Sequence, residues 1–595
     1  MVRAALSFLW LATASLSVAE DSLYSRRPTK RFIDDSGNYN ISFYHINDVH
    51  AHLDQFSSSG TDCTKPEKGC YGGYARVKTV LDETRPDHPD SLLLNVGDEF
   101  QGTLFYTFYG GEKIAETLNE IGFDAMTLGN HEWDGGDEKL GDFLKNLTFP
   151  IVSANVHSDN EKLNSTIKPY HIFEKYGLAI IGATTETVPS ISSPGKGTTF
   201  TDVVAAVQGS IDEIRRTTNI TRIAAITHIG YDEDKRLARE TSGLQLIMGG
   251  HSHTLLGDVE GAEGPYPTLE TNKDGDEVFI VTAYRWGEYL GYIDVTYDAE
   301  GKILAYHGAP VHLTNTTKQD EDLQAQINEW RVPFEAFAAE EVGESGVVLD
   351  QTTCQKQECP LGDLITDAIL QYRLDNGSPA SFALVNAGGI RATIDQGPVT
   401  RGEVLTAFPF GNAVVEVELT GSRLREVLEG VVSAVNKANG DKVTSFLQVS
   451  KGVKIEYNPS AEVGSRLVRL SIGGEPVDPE KTYTIVTVDF VAGGGDNFFS
   501  PALEGLVILD TLDEVLVQYL QAHSPVQLEL DGRIAVVDGS AGADDSESGS
   551  GSGTNTDAAP TPSTTPNNAA GSAGVGIVSG LVLLVWTALL AVVVM

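Results

Sequence analysis

Basic residues are scarce in this 595-residue chain. There are 42 Lys and Arg against 83 Asp and Glu, which gives a formal net charge of −41. Repulsion of phosphates at that charge excludes binding to a nucleic-acid polymer as the main purpose of the chain. A small anionic substrate is still compatible, because metal ions and a few arginines reverse the sign locally. The acidic excess is typical of a protein kept in solution at a surface or outside the cell.

Cysteine is also scarce. The four residues fall in two close pairs, Cys63 with Cys70 and Cys354 with Cys359. The wide gap between the pairs disfavours a metal site on their thiols. In an oxidising compartment, two local disulfide loops are the simplest pairing.

No Lys or Arg follows the apolar run 575–595 at the end of the chain, so there is no cytosolic tail to orient a membrane span. Small residues around 568–570 favour a signal for a glycosylphosphatidylinositol (GPI) anchor at 573–595 over a true span. At the other end, residues 1–19 carry Arg3 and an apolar run ending Ser-Val-Ala, which predicts a secretory signal peptide. Residues 30–31, Lys-Arg, are either a processing site or a solvated basic pair.

Acceptor sequons for N-glycosylation support the same secretory route. They lie at Asn40, Asn146, Asn164, Asn219, Asn315 and Asn376. We therefore expect the extracellular face of the plasma membrane or the cell wall as the location.

The chain is too long for one core, so two or more domains are expected. Residues 38–317 alternate apolar runs with amphipathic segments, such as 75–81 and 203–216, which predicts an α/β layered domain. Residues 318–345 are polar and helical in composition and predict a linker helix.

Residues 346–537 predict a second domain, of the α+β class. The predicted elements are an amphipathic helix at 422–435 and strands at 453–457, 467–472 and 483–488. Gly, Ser, Thr, Pro and Asp dominate residues 538–572, which predicts a disordered stalk.

Candidate metal ligands follow five apolar runs of the first half, 41–46, 92–96, 123–128, 223–227 and 244–248. The ligands are Asp48, His50, Asp98, Asn130, His228, His251 and His253. Each alone is better explained as a surface or turn residue, but ligands at the carboxyl ends of neighbouring strands converge in an α/β site. Seven ligands suit two divalent ions with one bridging carboxylate. Imidazole and carboxylate without thiolate suit Zn²⁺, our first expectation, or Mn²⁺.

Residues 129–134, Gly-Asn-His-Glu-Trp-Asp, are the centre of this pattern. Asn130 is a ligand candidate, while the adjacent His131 points elsewhere and stays free. Asp134 is close enough in sequence to orient that imidazole. We predict that a metal-activated water attacks a phosphoryl group and that His131 stabilises the transition state or protonates the leaving oxygen.

The order Asp-x-His, Gly-Asp, Gly-Asn-His-Glu-x-Asp, His, Gly-His-x-His resembles the binuclear metallophosphatase superfamily. With its second half, the chain resembles the secreted and surface 5′-nucleotidases over nearly all of 41–537. The resemblance implies a four-layer αββα domain and a C-terminal α+β nucleotide-binding domain. It assigns one ion to Asp48, His50, Asp98 and His253. It assigns the other to Asp98, Asn130, His228 and His251, and a catalytic dyad to His131 and Asp134.

Candidate substrate-binding residues occupy glycine-rich turns of the second half. They are Asn386, Gly388, Gly389, Arg391, Phe410, Phe490 and Asp496. From the residues alone, backbone amides and Arg391 can meet an anion. Taken in isolation, however, the pattern is better explained by a glycine turn with a solvated arginine and by aromatics of the core. The resemblance implies that Phe410 and Phe490 sandwich a base and that Asp496 holds ribose hydroxyls. It places Asn386 and Arg391 at the sugar-phosphate end. Many relatives carry a phosphate-binding arginine where this chain has Gln355.

The predicted function is hydrolysis of nucleoside 5′-monophosphates, such as AMP, by an enzyme with two divalent metal ions. Hydrolysis of nucleotide diphosphates or UDP-sugars and a 2′,3′-cyclic phosphodiesterase are alternatives on the same scaffold. A surface binding or adhesion protein is the alternative of another class, but it has no chemical need for His131. The expected partners are a small nucleotide and, through the lipid anchor, a membrane. A homodimer is left open.

Overall fold

The computed structural model describes residues 38–537. The predicted signal peptide at 1–19, the basic pair at 30–31, the stalk at 538–572 and the anchor signal at 573–595 lie outside these residues. Within 38–537, no helix has both the length and the apolar character needed to cross a membrane.

The first half alternates strands with helices, as predicted. Its strands are β1 Tyr39–Ile46, β2 Ser91–Asn95, β3 Ala125–Met126, β4 Ile151–Val152, β5 Val156–Ser158, β6 Ile167–Lys168, β7 Tyr170–Phe173, β8 Leu178–Thr184, β9 Thr198–Phe200, β10 Arg222–His228, β11 Leu246–Gly249, β12 Thr268–Thr271, β13 Glu277–Thr282, β14 Tyr289–Tyr297, β15 Ile303–Gly308 and β16 Val311–His312. Its helices are α1 Tyr74–Thr84, α2 Leu104–Tyr109, α3 Glu112–Ile121, α4 Gly136–Asn146, α5 Glu161–Thr166, α6 Val188–Ile191, α7 Val203–Thr217 and α8 Tyr231–Glu240.

Two sheets pack face to face between two layers of helices. The larger sheet has the order β15-β14-β1-β2-β3-β4-β6, with β16 paired to β14, and the smaller has the order β12-β13-β11-β10-β8-β7. Apolar side chains of both sheets, such as Phe43 and Met248, form the core between them. A second core joins the larger sheet to α1, α3 and α4, and a third joins the smaller sheet to α7 and α8. This is the four-layer αββα arrangement.

Parallel pairing brings the candidate ligand turns to one edge. Strand β1 runs parallel to β2, and β2 runs parallel to β3. In the smaller sheet β10 runs parallel to both β8 and β11. The five strands predicted ahead of the ligands are all present, although β3 is shorter than the predicted 123–128. Outside β3, N–H groups of residues 124 and 127 still bond to carbonyls of β2.

A helix, α9 Glu321–Ala338, leads from the first half to the second. Its N-cap Asp320 accepts a hydrogen bond from the backbone N–H of Leu323, which satisfies one of the free donors of the first turn. Leu323 and Phe334 are buried against the core of the first half. The next strand, β17 Glu341–Ser345, already pairs within the second half, with β19.

The second half is an α+β unit with two main sheets. Its further strands are β18 Phe382–Asn386, β19 Gly397–Thr400, β20 Ala413–Thr420, β21 Leu447–Val449, β22 Val453–Tyr457, β23 Leu467–Ile472, β24 Glu475–Pro476, β25 Thr482–Val488, β26 Val507–Thr511 and β27 Ile534–Val536. Its helices are α10 Pro360–Asp375, α11 Arg401–Ala407, α12 Gly421–Ser433, α13 Asp489–Ala492 and α14 Leu512–His523. The sheet orders are β21-β18-β25-β20-β26 and β24-β23-β22-β27.

The elements predicted in this half are confirmed within two residues at each end, as α12, β22, β23 and β25. Both predicted disulfides form, Cys63 with Cys70 and Cys354 with Cys359.

Candidate functional site

The predicted ligand side chains meet where the strands end. Donor atoms of Asp48, His50 and His253 lie within 4.8 Å of one another, and so do those of Asp98, His228 and His251. Asp48 and His228 are 0% exposed. Nε2 of His228 lies 3.0 Å from Oδ2 of Asp98. Asp98 also lies within 4.8 Å of donor atoms of His50, so it is near both groups of ligand atoms. It is therefore the carboxylate best placed to be shared between two ions.

Most of these residues adopt a backbone conformation that is uncommon outside glycine. The residues with φ in the left-handed region are Asp48 (53°), His50 (51°), Asp98 (58°), His251 (81°) and His253 (51°). Each such residue costs on the order of 1 kcal/mol and persists where the surroundings hold it. Here the loops hold each other, since Asp48 and His50 donate N–H bonds of 3.0 and 2.9 Å to the carbonyls of Gly97 and Asp98.

Glu132 joins two ligand loops and was not among the predicted site residues. Its buried carboxylate accepts N–H bonds from Gly129 at 2.6 Å, Glu99 at 2.7 Å and Asp98 at 3.0 Å. These loops approach so closely that a Cβ on Gly97 would lie 2.3 Å from the backbone nitrogen of Gly129. Glu132 therefore sets the distance between Asp98 and the loop that carries Asn130. Its only sequence signal was its place inside residues 129–134.

Asn47 joins a third loop to the site and was also missed. Its Nδ2 donates to Oδ2 of Asp48 and to the carbonyl of Tyr284, both at 2.7 Å. Its Oδ1 accepts the N–H of Ala283 at 2.9 Å. The loop that follows β13 is therefore anchored to a ligand, and it carries Arg285 into the site.

The donor set fits divalent cations. Oδ1 of Asn130 is buried and has no hydrogen-bond partner within residues 38–537. Nε2 of His228 is also buried, and its one close polar contact among the described residues is the carboxylate of Asp98. Nδ1 of His228 lies 2.8 Å from the carbonyl of Val96, and Nδ1 of His50 lies 3.1 Å from that of Phe100. When Nδ1 donates to a carbonyl, Nε2 is the nitrogen left to ligate a metal. Nitrogen and oxygen donors without sulfur suit Zn²⁺ or Mn²⁺.

The buried carboxylates of the cluster stabilise positive charge beside them. Burial disfavours an imidazolium at His228, but Asp98 and Asp48 outweigh burial and raise the pKa of His228 to about 10. Burial, aided by His228, lowers the pKa of His251 to about 3. Burial opposes the charge of Asp98, yet His228 and His131 hold the pKa of that carboxyl well below its usual value. A bound metal ion would take the place of the proton on His228.

His131 and Asp134 form the predicted pair. Nδ1 of His131 lies 2.7 Å from Oδ2 of Asp134, whose Oδ1 accepts a 2.6 Å bond from the Ser192 hydroxyl. Burial lowers the pKa of His131, but Asp134 and Asp98 outweigh it and raise the pKa overall. A donor atom of His131 also lies within 4.8 Å of His50 and Asp98 ligand atoms. Distance alone therefore permits His131 as a ligand, and its role needs a chemical test.

The second half closes over this cluster and completes a cleft of about 410 Å³. Each predicted substrate-binding residue lines it: Asn386, Gly388, Gly389, Arg391, Phe410, Phe490 and Asp496. Phe410 stacks on the ring of His131, with centroids 5.6 Å apart. A guanidinium nitrogen of Arg391 lies 3.3 Å from Nε2 of His50. Residues from the two halves of the sequence therefore face one cavity.

Hydrogen bonds organise the wall formed by the second half. Oδ2 of Asp496 accepts a 2.7 Å bond from Nδ2 of Asn386, and burial raises the pKa of Asp496. The N–H of Gly388 already donates to the Ser445 hydroxyl at 2.8 Å, so it is not a free anion donor. Gln355 lines the cleft as well, and its Oε1 accepts the N–H of Phe446 at 3.0 Å.

Known proteins share both halves of this architecture. Residues 41–255 match the calcineurin-like phosphoesterase family, and residues 339–504 match the 5′-nucleotidase C-terminal domain. The 5′-nucleotidase of Bos taurus is 35% identical over 489 residues, which cover 77% of this chain and 84% of that protein. The chain belongs to the 5′-nucleotidase family.

Solved structures of the 5′-nucleotidase family share the fold over most of the described residues. The 5′-nucleotidase precursor from Thermus thermophilus is 35% identical, with a TM-score of 0.78 over 84% of this chain and 99% of that one. The NAD nucleotidase of Haemophilus influenzae is 25% identical, with a TM-score of 0.52 over 84% of this chain and 100% of that one. As a member of this family with an intact metallophosphatase domain, the chain is a metal-dependent phosphoric monoester hydrolase.

Proposed function

We propose that this chain is a surface 5′-nucleotidase that hydrolyses nucleoside 5′-monophosphates, such as AMP, to nucleoside and phosphate. The observation that carries the proposal is the single cleft shared by the ligand cluster, the His131–Asp134 pair and the aromatic residues Phe410 and Phe490. Its volume of about 410 Å³ lies within the usual range for small-ligand sites, roughly 300–1,000 Å³. The relatives that are named 5′-nucleotidases support the same substrate class.

In this proposal two divalent ions, Zn²⁺ in the first instance and Mn²⁺ in the second, would be held by two ligand sets that have Asp98 in common. The first ligand set is Asp48, His50, Asp98 and His253. The second is Asp98, Asn130, His228 and His251. When bound, the ions polarise a phosphoryl oxygen and lower the pKa of the attacking water.

His131 acts on charge that develops during the reaction. Asp134 holds Nδ1 at 2.7 Å, which leaves Nε2 to face the substrate. Asp134 and Asp98 raise the pKa of His131 against the effect of burial. This favours the protonated ring, which can donate to the transferring phosphoryl group or to the leaving 5′ oxygen. The Ser192 hydroxyl donates to the second oxygen of Asp134 and so fixes the orientation of that carboxylate toward His131.

Recognition of the nucleoside falls to the second half. Phe410 and Phe490 take the base between their rings, and Asp496, oriented by Asn386, accepts ribose hydroxyls. Arg391 and the turn at Gly389 contact the phosphate. These residues reach the same cavity from three segments of the second half, 386–391, 408–412 and 489–497.

A substrate panel tests this function. Metal-loaded protein should release phosphate from nucleoside 5′-monophosphates with the highest kcat/KM of a set that also holds nucleoside diphosphates, UDP-sugars, NAD and 2′,3′-cyclic nucleotides. His131→Ala, measured in parallel, shows that the activity belongs to this site. A protein that binds AMP but hydrolyses no member of the panel would be a surface binding protein instead.

The second candidate is hydrolysis of dinucleotides or nucleotide sugars on the same scaffold. The likeness to an NAD nucleotidase favours it, and the neutral Gln355 on the cleft wall leaves the preferred number of phosphates open. A higher kcat/KM for NAD or a UDP-sugar than for AMP in the same panel would select this candidate.

Surface attachment by a lipid anchor is part of the proposal and rests on the chain termini and the sequons. Five of the sequon asparagines are exposed, namely Asn146, Asn164, Asn219, Asn315 and Asn376. A phosphatidylinositol-specific phospholipase should release the protein from intact cells. Protein that stays bound and still ends in Met595 by mass analysis would show that the tail spans the membrane.

A further inference from the structure

Arg285 enters the cleft from a rigid loop between β13 and β14. Its neighbours Tyr284 and Trp286 both have left-handed backbone, with φ of 62° and 60°. Asn47 binds the carbonyl of Tyr284, and the N–H of Trp286 donates to the carbonyl of Asp48 at 2.7 Å. The guanidinium stacks on Trp286, 3.9 Å from the ring centroid. Its position is therefore tied to the metal-ligand loop.

No group within residues 38–537 pairs with the Arg285 side chain by a hydrogen bond or an ion pair, and its Nε is buried without a partner. Arg391, in the same cleft, also has no carboxylate partner within those residues. Its guanidinium contacts the carbonyl of Gly388 and the rings of His50 and Phe410. Neither of these two guanidinium groups is therefore paired with a carboxylate of residues 38–537.

The positive charges of Arg285 and Arg391 are close enough to influence each other and His253. Burial is the main cause that lowers the pKa of Arg391, and the charge of Arg285 adds to it. Burial also lowers the pKa of His253, with Arg391 and Arg285 both contributing. Like charges that face one cavity repel each other, and an anion between them removes that cost.

The other side chains of the cleft do not supply further Lys or Arg. Among the described lining residues, Arg285 and Arg391 are the two with a permanent positive charge. Gln351 and Gln355 line the opposite wall as neutral amides, and Gln355 is already bonded to Phe446. A multiply charged anion therefore has one arginine on each half of the molecule to bind.

We propose that Arg285 is a substrate-binding residue that contacts the phosphate oxygens of the nucleotide from the metallophosphatase half, across the cleft from Arg391. The inference deepens the proposed function and rests on it. A planar guanidinium offers two parallel donors to phosphate oxygens. Stacking on Trp286 holds that plane in place before the substrate binds.

The test compares Arg285→Ala and Arg285→Gln with Arg222→Ala in metal-loaded protein. Arg222 is a matched control because it also stacks on a ring, 4.1 Å from the centroid of Tyr39, and also has a buried Nε without a partner. It begins β10, at the opposite end of that strand from His228. Calorimetric titration gives the Kd of inorganic phosphate and of adenosine, and kinetics give the KM for AMP.

Loss of a charge-assisted contact should raise the phosphate Kd and the KM for AMP by about tenfold in both Arg285 variants. The adenosine Kd should stay within about twofold in every variant, and all three constants should do so in Arg222→Ala. An unchanged phosphate Kd in a folded Arg285 variant overturns the inference, as does equal weakening of adenosine. Arg285→Gln keeps most of the side-chain volume and decides the matter if Arg285→Ala does not fold.

The two proposals fail in different ways. Wild-type protein that releases no phosphate from AMP would refute the proposed function, while the phosphate titration would still report on Arg285. Wild-type protein that hydrolyses AMP, with the same KM and phosphate Kd after Arg285→Gln, would leave the function intact and remove Arg285 from the binding site.

Discussion

The two walls of the cleft are built on different principles. On the wall of the first half, Asp48, Asp98 and His228 are at most 2% exposed. Asp48 and Asp98 lie on loops and have left-handed backbone. On the wall of the second half, Phe410 and Phe490 are half-buried, and they project from a turn and from the short helix α13. Charge that must stabilise a transition state has to be fixed before the substrate arrives, whereas a base needs flat apolar surface. The candidate ligands and the His131–Asp134 pair of the first wall should control kcat and metal content, and the two aromatic rings of the second should control KM.

Asp98→Asn should have the largest effect. Removing the shared carboxylate weakens both proposed ion sites, so kcat/KM should fall by more than about 10⁴-fold, the upper range for one lost acid or base. His253→Ala, a terminal ligand, should lose far less. A chelator should abolish wild-type turnover, and Zn²⁺ or Mn²⁺ should restore it, with metal content measured by mass spectrometry. Full activity in metal-stripped Asp98→Asn protein would refute the two-ion site.

His131→Ala tests whether His131, on the same wall, takes part in catalysis or binds a metal ion. We expect kcat to fall by about 10²–10⁴-fold with little change in KM. Asp134→Asn should lose less, because it disturbs only the orientation and charge of the ring. Metal content is the control, since loss of an ion from His131→Ala would make His131 a ligand.

Glu132→Gln tests whether the first wall depends on its loop geometry. The amide NH₂ would face the N–H groups of Gly129, Glu99 or Asp98, so the two ligand loops should move apart. A loss of about 10–100-fold in activity or metal affinity is typical for groups that orient ligands. Kinetics and metal titration of the folded variant would measure it. Wild-type values for both would show that the ligand loops hold their spacing without Glu132.

Phe410→Ala and Phe490→Ala test the second wall. Base stacking contributes about 1–3 kcal/mol in single-strand binders, so KM for AMP should rise by roughly 5–150-fold. A small aryl phosphate has no base to stack and is the matched control substrate. Phe410 also stacks on His131, so a change in kcat is expected for Phe410→Ala but not for Phe490→Ala. Equal losses on both substrates would place the base elsewhere.

Asp363→Asn should leave activity unchanged and alter the pH dependence of stability. Burial raises the pKa of Asp363 to about 8, against the opposing charge of Arg533. Between pH 3.8 and about 8 the folded protein holds a proton that the unfolded chain lacks. The free energy of unfolding therefore falls as pH rises across that window, by at most about 1.4 kcal/mol per pH unit from this group.

Asp363→Asn cannot titrate, so urea unfolding at pH 5 and pH 8 should show a smaller pH-dependent loss than in the wild type. Arg533 keeps its two 2.8 Å contacts with Asp367 in the variant. Asp375→Asn, on the exposed end of the same helix, should retain the wild-type slope. Identical slopes in all three proteins would show that Asp363 does not carry this proton.

The local sequence pattern was enough to predict several strands, one helix, both disulfides and the candidate ligand cluster. Strands that end in Asp, Asn or His predicted the ligand cluster, because the carboxyl ends of parallel strands share one edge. The alternating apolar pattern at 453–457 and 467–472 predicted β22 and β23 with their observed bounds. Close cysteine pairs predicted both disulfides. The stretch 422–435 predicted α12 because its apolar residues recur with the period of a helix.

Tertiary structure alone decided what the other polar residues do. The Glu132 carboxylate binds the N–H of a residue 34 positions away, which no local period encodes. The left-handed backbone at Asp48 and His253 persists only because packed loops hold it. Arg285 looks like any solvated arginine in the sequence, and it matters because folding buries its Nε in a cleft without a carboxylate partner. The sequence by itself determined which elements and candidate ligands exist, because those depend on neighbouring residues. The fold decided which charges stay unpaired, because pairing depends on groups that are distant along the chain.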